Sequence, residues 1–297
     1  MLPAIIFTSC LICLSLSKGV NGAFDYKNAL TKSIIFLEAQ RSGALPPNNR
    51  VPWRGNSALD DGKLENVDLV GGYYDAGDNV KYGLPMAFTI TTLSWAALHY
   101  SKEMQASGEM ENARAAIKWG TDYFLKASSR KNRLYVQVGD PNKDHDCWVR
   151  PEIMETPRTV LKIDQNEPGS EIAAETAAAM AASSIVFRPL NHTYARKLLN
   201  KAKLLFQFAK TYKGTYDGEC PFYCSYSGYN DELLWAAAWL YKATKKPFYL
   251  KYIIEESTNA NVAEFSWDLK YAGAQTLLTQ MLFEGQAELS NYKTGDR

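Results

Sequence analysis

The chain has 297 residues, 46% of them hydrophobic, with 33 Lys and Arg against 32 Asp and Glu. That is enough for one large domain or two ordinary ones with a sizeable core. The balanced charge offers no basic field for nucleic acid and no like-charge block of the kind that keeps a chain disordered.

Residues 4–16 form a short apolar run, and Val20 and Gly22 supply small residues before a cut after Gly22. Residues 1–22 therefore read as a secretory signal peptide, too short for a comfortable membrane span, and residues 23–297 as one domain. No Lys or Arg precedes the apolar run, so an uncleaved anchor is the alternative. No later segment is apolar enough to span a bilayer, so no membrane contact is expected after cleavage. Cleavage leaves Cys147, Cys220 and Cys224, an odd number with at least one thiol outside any internal pair. The spacing of Cys220 and Cys224 allows a small disulfide, which geometry must decide. Asn191-His192-Thr193 is an N-glycosylation sequon, consistent with secretion.

The body of the chain reads as helical. Leu30, Ile34, Ile35 and Leu37 give Tyr26–Arg41 a helical spacing, and further helices are predicted near 85–105, 110–127, 170–187, 192–212, 229–244, 247–256 and 268–288. Ser170 is the expected N-cap of an Ala-packed inner helix over 172–187. Tyr135–Val138 is the one convincing strand. Residues 42–83 and 139–169 read as long ordered loops, which in compact domains are usually functional. The alternation suggests stacked helical hairpins.

The first loop ends in Gly71-Gly72-Tyr73-Tyr74-Asp75-Ala76-Gly77-Asp78. A sharp turn at Gly77 would let Asp75 and Asp78 face one cavity and together hold and deprotonate a water molecule. An N-cap or solvated turn is the plainer reading of the same pattern. Tyr73 and Tyr74 suit a flat substrate such as a sugar ring. In the second loop His145, Trp148 and Arg150 could stack on sugar C–H faces and donate to hydroxyls. Alternatively Trp148 anchors the loop and Arg150 pairs with Asp146 or Glu152. Near 222–235, Tyr223 and Tyr226 could be rungs of a glycan groove. Asp231 and Glu232 open a helix, where its dipole stabilises acids. With Ser227 and Gly228 they also offer oxygen ligands suited to calcium. Zinc is not expected, because the three His residues have no ligand set at the usual spacing.

Taken together, the segments Gly71–Pro85, Tyr135–Pro151, Gly169–Ala182, Phe222–Tyr241 and Phe265–Ala274 resemble glycoside hydrolase family nine, the plant endo-β-1,4-glucanases. The resemblance implies an all-α fold, an α/α barrel of six helical hairpins with an open groove across one end. It implies inverting hydrolysis of internal bonds in a β-1,4-glucan, the expected partner, by a secreted cell-wall protein that acts as a monomer. Asp78 would be the general base and Asp75 would help hold the water. Tyr74, His145, Trp148, Arg150, Tyr223 and Tyr226 would line the glucosyl subsites. No cofactor is required, and Ser227, Gly228, Asp231, Glu232 and Asp268 match a structural calcium site.

Two Asp three residues apart are too close to be both base and acid of an inverting pair, whose carboxyls lie about 6.5–9.5 Å apart. The family's acid is a Glu in a late Asn-Glu motif, preceded by a His-containing motif. This chain ends at Asp296-Arg297 without either, and Glu284 and Glu288 are no obvious substitutes. A C-terminally truncated, incomplete barrel is therefore expected. The alternatives are a catalytically dead glucan-binding remnant and an unrelated hydrolase with a metal at Asp75 and Asp78.

Overall fold

The computed structural model describes residues 24–256, 262, 264–286 and 288–289. The expected signal peptide lies outside them. Among the described residues no helix is long and apolar enough to cross a membrane.

The helices are α1 (Tyr26–Ala39), α2 (Gly83–His99), α3 (Ser101–Ser107), α4 (Met110–Ala127), α5 (Pro141–His145), α6 (Ser170–Phe187), α7 (His192–Thr211), α8 (Asn230–Thr244), α9 (Pro247–Glu256) and α10 (Tyr271–Phe283). α6 is buried on all sides except at Ile185. Its run of alanines lets neighbouring helices approach closely. It packs between α2 and α8, and α10 packs on α8. α4 and α7 cover this row from outside, each burying one face. The result is the two-layer arrangement of an α/α barrel. Trp95 of α2 meets Trp235 and Trp239 of α8 at ring centroid distances of 5.5 and 6.0 Å. The same interior holds Lys270, whose Nζ lies 3.2 Å from Glu232 and 3.5 Å from Glu175.

Four details differ from the sequence reading. The helix expected over 85–105 breaks at Tyr100, whose backbone (φ −105°, ψ 35°) leaves the helical region between α2 and α3. The last helix is shorter, Tyr271–Phe283. Ser170 is not the N-cap: Gly169 occupies that position, and the Ser170 hydroxyl donates to the Ala209 carbonyl at 2.9 Å, joining α6 to the end of α7. Finally, β2 (Leu134–Val138) is not alone. It is the centre of an antiparallel sheet between β1 (Lys81–Tyr82) and β3 (Val160–Ile163). Two residues are too few for β1 to show a period, and β3 lies within the expected loop, where pairing rather than local pattern defines it. That loop also contains α5, capped by Asp140, which accepts from the N–H groups of Asn142 and Lys143.

One buried ion network fastens both long loops to this sheet. Lys81 Nζ on β1 lies 2.6 Å from Asp61, and it donates to the carbonyls of Leu69 and Gly71 at 2.7 and 3.0 Å. Arg158 grips the same Asp61 carboxylate with Nε and Nη2, at 2.7 and 2.9 Å. Burial opposes ionisation of Asp61, but Arg158 and Lys81 outweigh it and hold its carboxyl below the ordinary value. Burial lowers Lys81 to about 8, still above neutrality, so all three groups are charged at pH 7. Asp61→Asn leaves two buried cations undercompensated and should cost about 3–5 kcal/mol. The change should appear as a lower urea midpoint at pH 7. A loss under about 1 kcal/mol, the value of a surface pair, would show that the network does not hold the loops.

Candidate active site

The loop between the glycine pair and β1 carries the two acids. Asp75 N–H donates to the Val80 carbonyl at 3.0 Å, and Asp78 N–H to the Asp75 carbonyl at 2.7 Å, which closes a tight turn. The left-handed residue of that turn is Ala76 (φ +41°), not Gly77 as expected. A non-glycine residue in that region stores backbone strain. Its carbonyl accepts from Gln40 Nε2. Gly77 lies against the second loop: a Cβ there would be 3.1 Å from the edge of the Trp148 ring. The two loops touch at that point.

Asn79 clamps them further. Its N–H donates to Asp144 Oδ2 at 2.9 Å, and its side-chain amide donates to the Val149 carbonyl at 3.1 Å. This brings His145, at the end of α5, to Asp78: Nε2 lies 3.0 Å from Oδ1. The other acid has a different partner. Tyr223 donates its hydroxyl to Asp75 Oδ2 at 2.6 Å. Burial holds the Asp75 carboxyl above its ordinary value; the Tyr223 hydrogen bond opposes this and the Asp78 charge adds to it. Tyr223 is held by Tyr82 and Trp267, at ring centroid distances of 4.7 and 4.9 Å. The His145 ring meets Phe222 edge-on at 5.2 Å.

Residues 26–296 match a family model described as Glycosyl hydrolase family 9. The chain belongs to that family. It is 75% identical over 275 residues to Endoglucanase 16 of Arabidopsis thaliana, covering 92% of this chain and 57% of that protein. It is 67% identical over 272 residues to Endoglucanase 8 of Oryza sativa subsp. japonica, covering 92% of this chain and 54% of that protein. The endoglucanase of the termite Nasutitermes takasagoensis superposes with a TM-score of 0.85 at 45% identity, over 90% of this chain and 63% of that one. The C. cellulolyticum cellulase Cel9M in complex with cellobiose gives 0.83 at 34%, over 92% and 65%. The chain thus spans a little over half the length of the plant relatives it matches.

Within this family 9 chain the expected site residues divide into three groups. Asp75, Asp78, His145 and Tyr223 are joined by direct contacts. Trp148 and Tyr226 are 88% and 78% exposed, with free ring faces. Arg150 is also exposed, its Nε 3.4 Å from Glu152, the partner that the plainer reading named. Tyr74 does not present a face. It is 4% exposed, and its hydroxyl donates to Ser57 at 2.9 Å; Tyr73 is likewise buried, bonded to the Ala116 carbonyl at 2.8 Å. Both rings are thus buried, each fixed by its hydroxyl to a partner distant in sequence.

The oxygen-rich loop after Phe222 is assembled around Asp268. Ser227 Oγ donates to the Asp268 carbonyl at 2.7 Å and lies 3.2 and 3.3 Å from the two Asp231 oxygens. The Gly228 carbonyl accepts from Ser225 Oγ at 2.6 Å. Glu232 is hydrogen-bonded to Asp231, and one of its oxygens also accepts from Lys270 in the core. One helical residue of separation from Asp231 turns it through about 100°, onto the interior face. Cys220 and Cys224 are bridged, and Cys147 is a free, exposed thiol.

Sequence reasoning passed over three acids. Asp144 adjoins His145, and that adjacency was the available signal. Glu171 and Glu219 are buried and close enough to feel each other's charge, and Glu219 also feels Asp75. Glu171 accepts from the Tyr216 N–H at 2.7 Å, yet burial pushes it up to about 8. Burial raises Glu219 well above its ordinary value, and the charges of Glu171 and Asp75 add to this. A carboxyl with a raised folded-state pKa stabilises the fold below its unfolded pKa and loses that contribution as pH rises through the folded value. Unfolding free energy should therefore fall between about pH 4.5 and 8. In Glu171→Gln this decline should shrink, leaving the variant more stable than the parent at pH 8. Parallel urea titrations at pH 5 and 8 test this; equal slopes in the two proteins would refute it.

Proposed function

We propose that the protein is an endo-β-1,4-glucanase that hydrolyses internal bonds of a cellulose-like glucan with inversion. Asp78 acts as general base, and Asp75 holds the same water. The observation that carries this reading is the unequal treatment of two acids on one loop. Asp78 faces the accessible side against His145, while Asp75 is drawn inward onto Tyr223. A carboxylate that accepts a proton from water must reach the substrate side, and one that only orients water can be fixed by a hydroxyl. Trp148 and Tyr226 offer faces on which glucosyl rings can stack. The acid that inversion requires is none of these residues. Secretion and action as a monomer belong to the same proposal. The apolar run at 4–16 and the Cys220–Cys224 bridge support an oxidising, extracellular setting.

In a chain that turns over carboxymethylcellulose, Asp78→Asn should lower kcat by about 10²–10⁴-fold, the usual contribution of general base catalysis. Cello-oligosaccharide affinity should stay nearly unchanged. Retention of most of the rate would remove Asp78 from this role. Oligosaccharide binding without any hydrolysis, lost in Trp148→Ala, would instead favour a glucan-binding protein.

A structural calcium also fits the loop at Ser227. Ser227 Oγ lies among four oxygens of Asp231 and Asp268, an oxygen-rich cluster of the kind calcium takes. Ser227, Asp231 and Asp268 would hold it, and its effect would be to fix Tyr226 and Tyr223 in the groove. Calcium at a hundredfold excess over Kd should add about 2.7 kcal/mol of stability. The corresponding rise in Tm should disappear with chelator and in Asp231→Asn.

A further inference from the structure

Asp78 and His145 do not stand alone. Asp144 lies beneath them, and one ligand atom from each of the three residues lies within 4.8 Å of the other two. Asp144 is 6% exposed. Its Oδ2 accepts from the Asn79 N–H, but its Oδ1 is buried without a partner. A buried carboxylate oxygen left unpaired is costly, and such a group calls for a donor or a cation. Asp75 is not one of the three, so this is a different set from the pair of acids on the loop.

We propose that Asp78, Asp144 and His145 form a binding site for a divalent first-row transition metal such as Zn²⁺. Metal–ligand bonds of about 2.0–2.2 Å place neighbouring ligand atoms about 3–3.5 Å apart. The Asp78–His145 pair already stands at 3.0 Å, and the Asp144 ligand atom lies within 4.8 Å of both. Two carboxylates and a neutral imidazole supply charge −2, matched to a divalent ion, and the nitrogen ligand selects zinc, cobalt or copper over calcium. Three protein ligands leave a position open to water on the exposed side. The consequence rests on the glucanase reading. A metal on Asp78 occupies the lone pair that would take the proton from water. The occupied protein would be unable to cleave glucan, and glucan and metal would exclude each other at His145.

The test is calorimetric titration of the whole chain with Zn²⁺, in excess Ca²⁺ to fill the oxygen-lined loop at Ser227. One equivalent should bind. Asp144→Asn and His145→Gln should each weaken binding at least about tenfold, since losing a direct ligand costs no less than losing an outer partner. Cys147→Ser should leave binding unchanged and so exclude the exposed thiol. Co²⁺ should give a visible absorption band that both ligand variants lose. Absence of binding, or an affinity unchanged in both ligand variants, overturns the proposal. Should Asp144→Asn fail to fold, His145→Gln carries the test, because its ring lies at the surface. These readouts need no turnover. A chain that binds Zn²⁺ as described but never hydrolyses glucan keeps the metal site and loses only the glucanase reading.

Discussion

The site depends on the buried triad of Lys81, Asp61 and Arg158. Each residue comes from a different part of the chain: Lys81 from the two-residue strand beside the acids, Asp61 from the first long loop, Arg158 from the second. All three polar heads are in the interior. Isolated, any one would be prohibitively costly to bury. Together they are tolerated, and the geometry that makes them tolerable also fixes the relative position of the two loops. Such a network contributes less to net stability than apolar packing would. Here its effect is registry: Lys81 also draws in the carbonyls of Leu69 and Gly71, just before the turn that carries Asp75 and Asp78.

That registry separates two chemically identical side chains. Asp75 and Asp78 share a loop and differ by three residues, but their surroundings diverge. Asp75 turns toward Tyr223, and burial raises its pKa. Asp78 turns toward His145 and solvent. Neighbouring carboxylates in unlike surroundings are a recurring way to divide roles in a site. The strained backbone at Ala76 and the close approach of Trp148 at Gly77 are the local cost of placing both acids at one end of the barrel.

Much of this was legible in the residues. Most helices lie where apolar periodicity placed them, because a helix that buries one face must repeat at 3.6. The Ala-rich segment from 172 to 187 is an inner helix for the reason its composition gave: only small side chains fit on every side. His145 and Tyr223 were selected for their chemistry and do contact the acids. The misreadings were of direction. Tyr74 faces inward, and Glu232 reaches Lys270 in the core as well as Asp231. Neither orientation has a signature in neighbouring residues, since each is set by a partner distant in sequence.

The sequence by itself therefore determined the family and the helical architecture, because periodicity and motif are local properties of the chain. Tertiary structure decided which acid faces the groove, that Asp144 joins Asp78 and His145, that β1 and β3 pair with β2, and that Asp61 meets Lys81 and Arg158. The contacts that decide this span from 20 residues, Asp61 to Lys81, to 148, Asp75 to Tyr223. Their energies come from burial and geometry that exist only once the layers have packed, so no local pattern could encode them.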